Sequence, residues 1–157
     1  MDELKRSFTE EELKNQLDIA IELAANLHKG QRDRSNEIYV FHPIRIMMKM
    51  ETYEEKIVAI LHDVVEDTDC TLEMLQNKLE NLTVVEAIDA ITRKEEEDYF
   101  DYIERVRKNS LAKKVKTADL IDNLSRQGAT PSMRERYKKA YTMINGKDSL
   151  PPECNQN

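Results

Sequence analysis

The sequence predicts an all-α fold, arranged as one compact helical domain. Only three glycines and four prolines occur among 157 residues, so few positions can break a helix cheaply. Apolar residues recur at steps of three and four, and no alternating run of strand length stands out. A chain of this length can bury about two-thirds of its unfolded surface, which is enough for a hydrophobic core without disulfides.

The first predicted helix begins after Thr9, which has capping-box spacing to a glutamate, and continues towards Gly30. The next stretch, residues 30–41, is polar and has no helical period, so we expect a loop. This loop ends at His42-Pro43, where proline fits the first turn of a new helix. The loop therefore delivers His42 to a helix start.

Capping signals predict the remaining helices. Thr52 opens a helix that we expect to continue to about Val65, and Thr71 and Thr83 open two more. Three further helices are predicted over residues 98–108, 111–127 and 131–144. We expect one folded domain over residues 1–146 and a polar C-terminal tail over residues 147–157.

Net charge, the distribution of apolar residues and cysteine spacing limit the partners and the cellular location that we expect. The net charge of −7 and the pI near 5.1 oppose binding to polymeric nucleic acid. Neither an 18-residue apolar run nor a secretory leader is found, so we expect no membrane association and a cytoplasmic protein. Cys70 and Cys154 lie far apart in the sequence, and we expect both to be free thiols.

The stretch IVAILHDVVEDT carries the first functional signal. On a continuous helical wheel, His62, Asp63, Glu66 and Asp67 share one arc of about 140°, and the branched apolar residues occupy the other side. A solvated helix face would explain such an arc equally well. The histidine–aspartate pair alone does not decide between these interpretations.

A second helix, KKVKTADLIDNLS, places Asp119, Asp122 and Asn123 within or beside its apolar stripe. Buried carboxylates need hydrogen bonds or a counter-charge, and a metal cation shared with His62 and Asp63 would supply one. Salt bridges to lysine or arginine are the alternative. Two imidazoles and two carboxylates suit Mn²⁺, Fe²⁺, Zn²⁺ or Mg²⁺ and point to metal-assisted hydrolysis.

Five segments resemble the HD-type hydrolase domain of the RelA/SpoT homologue family, in matching order and spacing. They are HKGQ, S-x-E-x-Y-V-x-HPI, LHDVVEDT, AITRK and KTADLIDNLS, which together span residues 28–125. The chain resembles the small stand-alone alarmone hydrolases. The resemblance implies an all-helical fold, one bound Mn²⁺, and removal of the 3′-pyrophosphate from (p)ppGpp by a metal-activated water. Synthetase activity would need a further domain, so hydrolysis alone is expected.

The resemblance also implies roles for individual residues. It implies that Glu66 and Asp67 activate the attacking water and that Asn123 contacts the nucleotide. The implied metal ligands are His42, His62, Asp63 and Asp119.

The loop departs from the family pattern. Asp33 stands where the alarmone hydrolases have an arginine that stacks on guanine, and Arg34 follows as the candidate substrate contact. Asn36 and Ile38 replace a glycine and a proline, which predicts a different loop path. Two alternatives to (p)ppGpp hydrolysis therefore stay open: a nucleotide-binding regulatory module with little turnover, and a phosphatase for another nucleotide such as NADPH.

Among several basic residues that follow residue 104, Lys116 is the best candidate for drawing a polyphosphate towards the site. The others are expected to be solvated.

Overall fold

The structure is a computed structural model that describes residues 5–152, and this part of the chain contains nine α-helices and no strand. The all-α prediction is confirmed. The only extended pairing within these residues is one isolated antiparallel bridge between Arg32 and Ile38. The helices are α1 (Glu10–Leu27), α2 (Phe41–Met48), α3 (Tyr53–Leu61), α4 (Val64–Asp67), α5 (Leu72–Leu79), α6 (Leu82–Ile91), α7 (Tyr99–Arg107), α8 (Ser110–Ser125) and α9 (Pro131–Asn145).

Side-chain caps fix where the helices begin. Thr9 and Thr52 form the predicted capping boxes, in which each hydroxyl accepts an N–H of the first turn. The cap of α6 is Asn81 rather than Thr83, because its Oδ1 accepts the Val84 N–H at 3.2 Å. Thr83 lies inside the first turn of that helix.

The helix predicted to reach Val65 ends earlier, and the continuous wheel is wrong in this respect. α3 ends at Leu61, and His62 and Asp63 form a turn before the short α4. The Ala59 carbonyl accepts from His62 twice, from the backbone N–H at 3.5 Å and from the ring Nδ1 at 2.7 Å. This local pairing tightens the backbone at the histidine and interrupts the regular helix.

Helix α3 occupies the centre of the core and contacts α1, α2, α6 and α8. Its residues Ile57, Val58 and Leu61 are fully buried, and each contributes roughly 1.5–3 kcal/mol by leaving water. The end of this central helix therefore lies where α2 and α8 also meet. The candidate site forms at that junction.

The remaining features of the fold are the end of α9 with the segment after it, and the buried Cys70. Gly146 ends α9 with φ 107°, a left-handed conformation that favours glycine. Residues 147–152 of the predicted tail form no helix, and residues 153–157, with Cys154, lie outside the described residues. Cys70 is buried and free. Among the described helices, none has the length and apolar character that crossing a membrane requires.

Candidate active site

Three of the four predicted metal ligands converge from three different elements. His42 comes from the first turn of α2, His62 from the turn after α3, and Asp119 from α8. One donor atom from each lies within 4.8 Å of the others, and all three residues are buried. Such a spacing is compatible with a single cation held by all three.

Asp63, the fourth predicted ligand, lies at the edge of this cluster. Its Oδ2 is 3.0 Å from Nε2 of His62 and 3.7 Å from Nε2 of His42, and 16% of its side chain is exposed. The Tyr39 hydroxyl donates to the same oxygen at 2.5 Å. The predicted set is thus brought together, with the aspartate on the solvent side.

The histidine tautomers favour a metal. Nδ1 of His62 donates to the Ala59 carbonyl, so in the neutral ring Nε2 is the acceptor and faces the cluster. That Nε2 is buried and has no hydrogen-bond partner, since Asp63 is close but poorly aligned. An orphaned imidazole nitrogen between two carboxylates is a position that a cation would satisfy. The donor set therefore fits a divalent metal.

Asp122 contacts His42 at Nδ1, the ring nitrogen that does not face the cluster. Its Oδ2 lies 2.6 Å from Nδ1 of His42, and Arg45 binds both carboxylate oxygens at 2.9 and 3.0 Å. This carboxylate fixes the ring so that Nε2 faces the cluster, an arrangement typical of metal-binding histidines. Sequence reasoning found Asp122 beside the apolar stripe and assigned it no role.

The electrostatics show how strongly the cluster attracts cations. Burial alone would lower the pKa of His62, but the negative charges of Asp63 and Asp119 outweigh it and raise that pKa. Burial would raise the pKa of Asp63, but the charge of His62 outweighs it and holds the pKa well below its usual range. Protons and a metal would compete for the same place.

One of the two Asp119 oxygens is in a salt bridge, which was the alternative to a metal. Lys116 donates from Nζ to Oδ2 of Asp119 at 2.8 Å, and the Asp119 charge keeps the pKa of this buried lysine raised. The other oxygen, Oδ1, is 2.9 Å from Nε2 of His42 and 3.4 Å from Nε2 of His62. One oxygen is therefore neutralised, and the other faces the candidate metal position.

The predicted catalytic pair lies beside the cluster, on α4. Glu66 reaches a cavity and accepts the backbone N–H of Arg93, and the surrounding protein raises its pKa to about 6 by desolvation. Asp67 accepts from the Tyr39 hydroxyl at 3.2 Å, and desolvation together with the charge of Asp63 raises its pKa. Glu66 is thus poised to take up a proton near neutral pH.

A cavity of about 390 Å³ opens onto the cluster. That volume lies within the range of small-molecule sites. Although the chain is acidic overall, six cationic side chains line this cavity beside the carboxylates of the cluster: Arg32, Arg34, Arg93, Lys116, Arg126 and Arg136. The cavity is therefore suited to an anionic ligand next to the metal position.

The two predicted substrate contacts both line this cavity. Asn123 lies on α8 and donates from Nδ2 to Oδ1 of Asp119 at 3.1 Å. Arg34 is exposed on the loop, with its Cβ packed close to Gly128. Lys116 lines the cavity as well, as its sequence position suggested.

Sequence reasoning missed the opposite wall. Two guanidiniums lie over the ring of Tyr99, which is on α7. Cζ of Arg136 is 4.6 Å from the ring centroid, and Cζ of Arg93 is 5.4 Å from it. The Tyr99 hydroxyl and Nε of Arg136 are both buried without partners. No periodicity or motif pointed to α9, because its arginines resemble an ordinary solvated helix face.

An all-helical domain whose buried histidine–aspartate cluster opens into a cationic cavity has the features of the HD class of hydrolase domains. No protein-family model matches the chain. Its sequence is 31% identical over 129 residues to the guanosine-3′,5′-bis(diphosphate) 3′-pyrophosphohydrolase of Vibrio cholerae, covering 73% of this chain and 18% of the relative. It is 30% identical over 98 residues to the bifunctional (p)ppGpp synthase/hydrolase SpoT of Escherichia coli, covering 59% of this chain and 14% of that protein.

Among solved structures, the chain is similar to one described as a metazoan ortholog of SpoT that hydrolyzes ppGpp. The TM-score is 0.67 at 25% identity, covering 88% of this chain and 86% of that chain. The chain spans a fifth or less of the length of the curated relatives named here. The sequence and structural similarities together identify it as an HD-domain protein of the RelA/SpoT hydrolase type.

Proposed function

We propose that this protein is a metal-dependent phosphohydrolase that removes the 3′-pyrophosphate of (p)ppGpp or a closely related nucleotide. The observation that carries the proposal is the buried Nε2 of His62, which has no hydrogen-bond partner and faces a histidine–aspartate cluster beside a cationic cavity. The names of the relatives support the choice of substrate. A cytoplasmic location belongs to the proposal, since buried free thiols such as Cys70 are usual there.

The proposed metal is Mn²⁺, held by His42, His62, Asp63 and Asp119. Neutral imidazole nitrogens and carboxylate oxygens together suit Mn²⁺ and related cations. When bound, the cation would lower the pKa of a water and offset charge on a phosphoryl oxygen. Asp122 orients one imidazole, and the Ala59 carbonyl orients the other.

Glu66 and Asp67 are proposed to handle the proton of the attacking water. A carboxylate with a pKa near 6 is largely ionised at neutral pH and still basic enough to accept a proton. The Arg93 N–H fixes one oxygen of Glu66, and the other oxygen is available to a water in the cavity. The Tyr39 hydroxyl lies between Asp63 and Asp67, and its single proton is shared by the two carboxylates.

The rest of the cavity is proposed to bind the nucleotide phosphates. The unpartnered donors of Tyr99 and Arg136 would be satisfied by phosphate oxygens, and Lys116, which pairs with Asp119, lines the same cavity. Asn123 and Arg34 are proposed contacts on the nucleoside side.

The test is a substrate panel. Purified protein loaded with Mn²⁺ is incubated with ppGpp, pppGpp, NADPH and common nucleoside phosphates, and released pyrophosphate and phosphate are followed separately. Pyrophosphate from ppGpp is the expected result. Phosphate from NADPH alone would favour a phosphatase for another nucleotide. Metal binding without turnover of any compound would favour a regulatory module and overturn the enzymatic proposal.

Two variants test the assigned roles. Asp63→Ala should abolish turnover and weaken Mn²⁺ binding, because it removes a ligand. Glu66→Gln should keep the metal and lose most of the rate, about 100-fold or more, because it removes the proposed base. Asp18→Ala, at an exposed position on α1, is the matched control. Full activity in Glu66→Gln would remove that residue from the mechanism.

A further inference from the structure

The loop residue Asp33 has a structural role of its own. Its Oδ1 accepts the backbone N–H groups of Ser35 at 2.8 Å and Glu37 at 2.9 Å. These bonds close a tight turn in which Asn36 has φ 60°. The carboxylate is therefore committed to shaping the loop, and only its Oδ2 is left to face the cavity wall.

That second oxygen faces Arg126, the residue that ends α8. The guanidinium Nη1 of Arg126 lies 3.6 Å from Oδ2 of Asp33, and its Nε lies 3.3 Å from Oδ2 of Asp122. About a quarter of the Arg126 side chain is exposed, and that side chain lines the cavity. The guanidinium thus lies between a carboxylate of the loop and a carboxylate of α8, and charge attraction rather than a hydrogen bond joins it to both.

Arg126 also makes a close contact with Asn123, since its guanidinium Nη2 donates to Oδ1 of the Asn123 amide. The amide nitrogen is engaged as well, since Nδ2 donates to Oδ1 of Asp119. Both ends of this amide are consequently fixed, and its orientation depends on the arginine. An amide that lost the guanidinium would be held only by its bond to Asp119, so its oxygen would no longer be fixed.

The backbone near Arg126 reinforces the connection to the loop. Ser35 donates from its hydroxyl to the Gln127 carbonyl at 3.3 Å. Gly128 has φ 97°, and a Cβ at this position would lie 2.9 Å from Cβ of Arg34. The loop over residues 33–37 and the segment over residues 126–128 therefore pack directly against each other.

We propose that Arg126 is a positioning residue that fixes the amide of Asn123, and that Asp33 holds Arg126 in place, so that the loop sets the nucleotide side of the site. In its consequences for nucleotide binding, this inference rests on the proposed function. Asp33 stands where the alarmone hydrolases have an arginine, and in this chain Asp33 pairs with Arg126 instead. Both residues determine how well the nucleotide is bound without touching the reacting phosphorus.

A first experiment reads the amide directly and needs no activity. In ¹H–¹⁵N spectra of the full chain, the Asn123 side-chain amide signals are assigned through Asn123→Ala. Arg126→Met is expected to shift them, and Asp33→Asn is expected to shift them in the same direction by less. Arg107→Met, which removes an exposed arginine paired with Glu104, is the control and should leave them in place. Unchanged signals in Arg126→Met would overturn the inference.

A second experiment measures ppGpp binding to protein treated with EDTA, so that no turnover occurs. Arg126→Met is expected to weaken binding about 10-fold, Arg126→Lys less, and Asp33→Asn about threefold. In the Asn123→Ala background, Arg126→Met should cause no further loss, since the arginine acts through that amide. Equal losses in both backgrounds would instead make Arg126 a direct contact.

Turnover of the Mn²⁺-loaded variants separates positioning from general damage. Arg126→Met is expected to raise KM about 10-fold and to change kcat by less than threefold. A fall in kcat with unchanged KM would contradict the inference. If the native protein hydrolyses and binds no member of the substrate panel, the proposed function fails, whereas the amide spectra still decide the role of Arg126.

Discussion

Replacing Asp122 by asparagine tests whether the cluster binds a metal through an oriented His42. The asparagine has nearly the same shape, and its carbonyl oxygen can still accept from Nδ1 of His42. The change therefore removes charge while keeping the ring in place. It also leaves Arg45 without a counter-charge, but this arginine side chain is 39% exposed and can be solvated.

The magnitude follows from how tightly Asp122 is held. The carboxylate lies 2.6 Å from the ring nitrogen and is 3% exposed, so its charge acts on the imidazole with little screening by water. Losing such a partner typically weakens metal binding by about 10- to 100-fold, or roughly 1.4–2.7 kcal/mol. We expect this loss for Mn²⁺ in Asp122→Asn.

The assay is a titration of metal-free protein with Mn²⁺, followed by the electron paramagnetic resonance signal of the free ion. Asp18→Asn, at an exposed position on α1, is the control and should bind like the native protein. Thermal unfolding without metal shows whether Asp122→Asn is folded. A folded Asp122→Asn protein with native Mn²⁺ affinity would refute the role given to Asp122 and weaken the case for a metal on His42.

Two further predictions concern pH. With saturating Mn²⁺, kcat should fall about tenfold from pH 7 to pH 5, because desolvation by the surrounding protein raises the pKa of Glu66 to about 6 and the ionised form is the base; an unchanged acid limb in Glu66→Gln would contradict this. Stability should also fall in acid, because hydrogen bonds from Arg105 hold the pKa of Glu97 at about 2, below its usual 4.5. That contribution is complete above about pH 4.5 and is lost as the pH falls towards 2. Glu97→Gln should therefore lower the free energy of unfolding by roughly 1–2 kcal/mol at pH 7 and by much less at pH 2.5, measured by urea denaturation.

Local sequence signals predicted most of the helices correctly, because their causes are local. The Thr9 and Thr52 boxes depend only on residues three positions away, and both form as predicted. The break after Leu61 was missed because it depends on where the ring of His62 points. A wheel assumes a regular helix and contains no information about such a side-chain bond.

The candidate site was predictable to a similar extent. The HPI, LHDVVEDT and ADLIDN segments identified the residues that converge, and the structure brings His42, His62 and Asp119 together. The unpartnered state of the His62 Nε2 could not be predicted, since it results from packing of α2, α3 and α8. Arg136 and Tyr99 were missed because α7 and α9 meet the cavity only after folding.

The sequence by itself determined the helical class, the capped helix starts and the kinds of side chain available for hydrolytic chemistry. These depend on residue type and on spacing within one or two turns. Only the tertiary structure decided which carboxylates face the candidate metal position and which are neutralised, as in the division between Asp119 and Asp122. It also decided that Asp33 pairs with Arg126, 93 positions away in the sequence. Such choices depend on distances between separate helices and on exclusion of water, and neither is encoded in any short stretch of the chain.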